Sequence, residues 1–361
     1  MDNVVQPPIN PFAAQQHLLR ERLNFLLATV HPALYDDVVR AFREEGKLLC
    51  QTPTDVHSPR ASSPAGIWSL LTLLVAQYIA PDIDPIYASS VAIAVECFAS
   101  ALDLLDDVED DDQTPIVQEL GAARVLNVTT VLLTMAQQAL LSLSELGIDP
   151  ARILRLLKTL QESALGITSG QHRDLLAEQR SALEFTSEEC IDIAAAKAGA
   201  ILQLACRLGA QCAGADEALC EQFAEFGLLL GIAAQLDNDC HDLYHLLQDV
   251  IPTILPGDAG ATPGSEKSDL VRGKKTLPIV LAAAEIAKTR GMTAMSLDDA
   301  LQKISELSDE ERNEYLRALK EGMLATWGIC LLYLERARDR LQEFESLRPV
   351  SPTLRILTGL E

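Results

Sequence analysis

The chain has 361 residues, 48% of them hydrophobic and 22% charged, proportions of an ordinary soluble globular protein with room for one large core or two modest ones. Its 29 Lys and Arg stand against 52 Asp and Glu, a net charge of −23, which excludes nucleic acid and anionic lipid as general partners. Eight cysteines show no CxxC spacing and mostly sit inside apolar helical patterns, so a disulfide framework is not expected, and a reducing, cytosolic compartment is.

The first residues, "MDNVVQPPINPF", carry neither the basic nor the apolar run of a signal peptide. Residues 1–16 read as a flexible N-terminal segment, and 17–361 as a single all-α domain. From "HLLRERLNFLLATVHPALYDDVVRAF" onward, apolar residues recur at three and four. The same period predicts helices over 67–80, 85–107, 121–145, 151–178, 188–212, 216–247, 276–289, 297–320 and 322–346. Pro, Gly and Ser break the pattern at 51–66, 81–85, 147–150, 213–216 and 251–273, the last being long enough for a lid or binding loop. The apolar run at 67–80 is too short to span a bilayer, and 88–105 carries Glu96, so both read as core helices without stable membrane insertion.

The run at 85–107 ends in "LLDDVED". Residues three and four apart share a helix face, which aligns Asp103, Asp106, Asp107 and Asp110 in one stripe. Gln235, Asn238, Asp239 and Asp242, in "QLDNDCHD", form a second. Each is either a solvated helix end or a set of oxygen ligands for a hard cation such as Mg²⁺. His241 and His245, four apart with an acid between them, offer the rival pattern of a zinc-hydrolase helix, with Asp in place of Glu and no evident third ligand. Cations follow the second stripe at Lys267, Arg272, Lys274 and Lys275. Lys197 lies alone in a helix of small apolar residues, an odd place for an unpaired charge.

These segments resemble motifs of the trans-isoprenyl diphosphate synthases: "LLDDVED" and "QLDNDCHD" their two Asp-rich motifs, with "GITSGQHRDLL", "AAKAGAI" and "KSDLVRGKKTLP" in matching order, over about residues 65–285. The resemblance implies an isoprenoid-synthase-like helical bundle around a deep central apolar cavity, a form that is commonly a homodimer. It implies three Mg²⁺ between Asp106, Asp107 and Asp110 on one side and Asn238, Asp239 and Asp242 on the other. It places Gln171, Lys197, Gln235, Lys274 and Lys275 at the diphosphate of an allylic prenyl substrate. Trp68, Phe98, Ala101 and Leu102 would line the cavity.

The departures from that family shape the expected activity. Chain-elongating members hold isopentenyl diphosphate with a Gly-Lys-Arg stretch, a His before the first motif and an Arg pair after it. Aligned on "LLTLLVA", this chain has Pro64, Ala65, Gly66 and Trp68 at the first, Ala99 at the second, and no Arg pair in "DDDQTPIVQELG". The expectation drawn from this is a Mg²⁺-dependent class I terpene synthase, which ionises an allylic diphosphate and releases a linear or cyclised terpene. The alternatives are a prenyltransferase, acting on isopentenyl diphosphate or another acceptor, and a non-catalytic homologue.

Overall fold

Helix starts follow from capping chemistry. Asp84 and Asp149 each precede a proline, and their carboxylates accept from the first free amides, Ile86 and Tyr87 in one case and Ala151 in the other. Thr186 and Glu189 close a reciprocal capping box. The computed structural model describes residues 10–50, 64–247, 269–290 and 294–360.

Among these residues the α-helices in order are α1 (Ala13–Leu27), α2 (Pro32–Ala41), α3 (Ile67–Ile79), α4 (Pro85–Glu109), α5 (Pro115–Leu120), α6 (Ala122–Leu141), α7 (Pro150–Ala177), α8 (Ser187–Ala194), α9 (Ala200–Cys212), α10 (Glu217–Leu247), α11 (Asp269–Arg272), α12 (Leu277–Arg290), α13 (Ala294–Gln302), α14 (Asp309–Leu347) and α15 (Pro352–Thr358). No strand occurs among the described residues, as the unbroken helical period predicts.

The expected helix 188–212 is divided between α8 and α9, α5, α11 and α15 fall where no helix is expected, and three further boundaries differ. α1 starts at Ala13, with Phe12 and Gln16 buried, so the N-terminal segment set at 1–16 overlaps a packed helix. Pro32, capped by His31, divides the first periodic stretch in two. Near the C-terminus the break falls at 303–308, where Ser308 caps α14, and α14 continues for 39 residues through the break set at 321.

α4 is the axis of the bundle. Its apolar residues are buried all round against α3, α6 and α9, and α9 packs in turn on α10. The main core gathers Leu70, Leu73, Val91, Ile93, Leu132, Leu204 and Phe226. A second core joins the C-terminal half of α10 to α12, α13 and α14 around Leu243, Ile286 and Tyr315. Among the described residues, four stretches are long and apolar enough to cross a membrane, Pro85–Glu109 and Glu217–Tyr244 among them, whose most apolar windows are 83% and 61% buried in the bundle. All cysteines but Cys50 are buried thiols. The acidic ends of α4 and α10 both come within reach of α11 and the turn after it, which positions the site.

Candidate active site

Between α8 and α9 the helix widens into one π-turn, Ala195–Gly199, in which Lys197 leaves helical geometry (φ −94°, ψ −105°). Two glycines allow this segment to sit between its neighbours. A Cβ on Gly170 of α7 would collide with Ala196, and one on Gly231 of α10 with the Ala198 carbonyl. From the π-turn the Lys197 Nζ donates to Asp106 Oδ1 at 3.2 Å and to Asp174 Oδ2 at 2.6 Å. Burial would lower its pKa, but Asp106 and Asp174 outweigh that and hold it above the usual lysine value.

A second cation pair comes from α11 and the turn that follows. The Lys274 Nζ binds Asp110 and lies 3.8 Å from Asp269. Its pKa is also raised, because Asp269 and Asp110 outweigh the cost of burial. The Arg272 guanidinium bridges Asp110 (3.3 Å) and Asp112 (3.1 Å). Asp269 donates its amide to Asp242 Oδ2 at 2.8 Å. The carboxyl of Asp269 is pushed up to about 6, by burial first and then by Asp242 against the pull of Lys274. Asp239 is buried on α10 and accepts from Gln235 Nε2 at 2.9 Å. Burial, then Asp269, lift its carboxyl to about 7.

The structure therefore brings Asp106, Asp110, Lys197 and Lys274 into one network, with Asp239, Asp242 and Gln235 joined to it through Asp269. Asp107 accepts from the Thr114 hydroxyl at 2.9 Å. Asn238 is solvent-exposed on α10. Both amide atoms of Gln171 are buried without a protein partner. Lys275 departs from the expectation. Neighbouring side chains diverge, and its ammonium turns inward to the carbonyls of Gly273 and Glu178. Burial lowers its pKa. Phe98 and Ala101 are buried in the main core, and Leu102 packs against it. His241 lies 3.3 Å from Asp237 and edge-on to Trp327; the His245 side chain and most of the loop 251–273, including Lys267, lie outside the described residues.

The chemistry of the donors fits Mg²⁺: Asp106, Asp110, Asp239 and Asp242 offer oxygen ligands only, and Asp110 and Asp239 are buried. Among the described residues no three His, Cys, Asp or Glu side chains are gathered tightly enough to hold an ion. Lys197, Lys274 and Arg272 compensate the carboxylates instead.

Sequence reasoning missed three residues. Asp174 and Asp269 lie inside the quoted motifs "GITSGQHRDLL" and "KSDLVRGKKTLP", but neither is singled out there as a site residue. Lys47 was hidden by distance along the chain. Gly66 donates its amide to the Gly46 carbonyl at 2.8 Å, so the Gly46–Lys47 pair, separated from α3 by residues 51–63, returns beside Trp68. The Lys47 ammonium sits 4.1 Å from the Trp68 ring centroid and pairs with Asp103. Trp68 thus packs beneath a basic residue where the local alignment put it in place of one.

The polyprenyl synthetase family profile matches residues 66–315. The chain belongs to the polyprenyl synthetase family. Similar members include a geranylgeranyl diphosphate synthase of Mycobacterium tuberculosis, 32% identical over 54% of this chain and 52% of that protein. A geranylfarnesyl diphosphate synthase of Aeropyrum pernix is 29% identical over 58% and 60%. The tryptophan prenyltransferase ComQ of Bacillus spizizenii is 32% identical over 43% and 50%. These matches span about half the length of each relative. A solved polyprenyl synthetase from Streptomyces coelicolor superimposes with a TM-score of 0.69 at 21% identity, covering 96% of both chains, which establishes the isoprenoid-synthase helical fold. The expectation of a terpene synthase, a lyase, is overturned. The relatives are named as prenyl-transferring enzymes.

Proposed function

We propose that this family member is a prenyltransferase that lengthens an allylic prenyl diphosphate with isopentenyl diphosphate. The observation that carries the reading is the convergence of Lys197 and Lys274 on the acids of α4, with Lys47 further along the same helix at Asp103. In this reading Lys197, Lys274 and Arg272 bind the diphosphate of the allylic substrate, and Gln171 donates to it. Their fixed positive charge favours breaking the bond between C1 and the diphosphate oxygen, because it meets charge that develops on the leaving group. The double bond of isopentenyl diphosphate attacks C1, and a proton leaves the acceptor carbon for the released diphosphate. Mg²⁺, three ions by family resemblance, would be held by Asp106, Asp107 and Asp110 with Asn238, Asp239 and Asp242, and supplies further charge neutralisation at the leaving group.

A second acceptor class is favoured by one observation. The Lys47 charge is already met by Asp103, Ala99 stands at the position of the family's His, and no Arg pair follows the first acidic motif. A neutral nucleophile is therefore the second reading, and a tryptophan prenyltransferase is among the relatives. A homodimer and a reducing, cytosolic setting belong to the same proposal. Exposed Leu154, Leu165 and Leu176 on α7 and the buried thiols support them.

The test is product analysis with Mg²⁺ and geranyl, farnesyl or geranylgeranyl diphosphate, each with and without isopentenyl diphosphate. Longer diphosphates formed only with isopentenyl diphosphate are expected. Hydrocarbon formed without it, or no elongation, would overturn the proposal.

A further inference from the structure

Glu96 is fully buried in the middle of α4, a costly place for a carboxyl group unless something needs it there. One of its oxygens accepts from the Ser69 hydroxyl at 2.8 Å and from the Ser69 amide at 3.2 Å. Ser69 is the third residue of α3, whose N-cap, Gly66, sits in the left-handed region (φ 76°) and has no side chain to offer. The Glu96 carboxyl thus caps α3 from another helix. Its second oxygen, Oε1, has no partner, and the amide of the Gly66 N-cap donates to the Gly46 carbonyl at 2.8 Å. The helix start that carries Trp68 is docked on this side chain, and the backbone before Lys47 is tied to that helix start. Seven residues further along α4, on the same face, Asp103 receives the Lys47 ammonium. One helix face therefore fixes Lys47 twice, through its backbone by way of the α3 start that Glu96 caps and through its head group at Asp103.

We propose that Glu96 is a positioning residue for Lys47, and through it for the acceptor. This rests on the reading that Lys47 faces the acceptor diphosphate. A lysine on a loop loses rotamer freedom when it binds an anion. Lys47 has already lost it, being 3% exposed with its ammonium held over Trp68, so binding there is pre-organised. Glu96 touches no substrate in this arrangement; its effect reaches the acceptor through the 46–48 backbone.

The experiment compares the full-length protein with E96A, S69A and the conservative E96Q, whose amide oxygen still accepts from Ser69. With farnesyl diphosphate and Mg²⁺, E96A and S69A are expected to raise the KM for isopentenyl diphosphate about tenfold, with the KM for farnesyl diphosphate and kcat changed less than about threefold, and E96Q to stay near wild type. In parallel, the rate at which an amine-reactive ester acylates Lys47, read by mass spectrometry of the peptide, should rise about tenfold in E96A and S69A as the ammonium is released to solvent. S69A keeps the test open if E96A does not fold. Equal rises in both KM values, or an unchanged Lys47 acylation rate, would overturn the inference. If wild type makes no longer diphosphate at all, the proposed function fails, and the acylation rates alone decide whether Glu96 positions Lys47.

Discussion

Replacing Lys197 by Met removes a cation whose surroundings define its worth. The side chain is 14% exposed, with Asp106 at 3.2 Å and Asp174 at 2.6 Å. At an effective dielectric of about 20, a unit charge some 4 Å from another is worth about 4 kcal/mol. Two carboxylates already draw on this one, leaving about 2–3 kcal/mol for a departing diphosphate, or a fall in kcat of about 30- to 150-fold. The substitution also strands the carboxylate of Asp174, which is 20% exposed, at a stability cost of about 1–3 kcal/mol. The two effects separate in K197M/D174N. Neutralising Asp174 should restore the melting temperature and leave the rate low. Diphosphate release at saturating farnesyl and isopentenyl diphosphate, paired with thermal melts, reads both. A kcat for K197M within about threefold of wild type, or a double variant that recovers the rate, would refute this electrostatic account.

Other consequences follow from the same residues. Burial holds Glu96, Asp239 (about 7) and Asp269 (about 6) above their ordinary carboxylate values. Such groups contribute stability that is complete below the unfolded pKa near 4 and is lost as pH rises through the folded values. The metal-free protein should therefore melt at progressively lower temperature from pH 5 to pH 8, and a rise across that window in scanning fluorimetry would count against the assignment. R272A frees Asp110 and Asp112 from a competing guanidinium, so half-maximal activity should need less Mg²⁺; an unchanged Mg²⁺ titration would show that Arg272 does not compete. G231A drives a Cβ into the Ala198 carbonyl, which should cost about 1–3 kcal/mol by overpacking and slow turnover by displacing Lys197. An unaltered melting temperature would mean that α10 gives way freely.

The sequence revealed what is periodic and local. The helical period identified α3, α4, α6, α7, α9 and α10, and the stripes on α4 and α10 were legible because residues three and four apart must share a face. Long-range returns of the chain were not legible. Gly46–Lys47 reaches Trp68 only through a backbone hydrogen bond to Gly66, and no local pattern announces that meeting. Asp174 sits on a polar turn of α7, and its value appears only when the π-turn brings Lys197 to it. Adjacent lysines 274 and 275 look alike as letters, yet one faces the carboxylates and the other backbone carbonyls. The expectation of a lyase rested on residues near 64–68 and 99 read in place along the chain, a reading that could not see the return of Lys47 to Trp68.

The widened turn at 195–199 also bears on what the chain can survive by insertion and deletion. A π-turn holds one residue more than an α-turn in the same advance along the axis, so it absorbs an extra residue without throwing later residues about 100° out of phase. Losing Ala198 should consequently heal α8 and α9 into one continuous helix. The buried faces around Ile193 and Leu208 would keep their register, and the bundle would persist. Lys197 would return to regular helical geometry and lose the direction from which it meets Asp106 and Asp174. A deletion of one residue here should separate the scaffold from its chemistry: the melting temperature is expected to persist and turnover to fall.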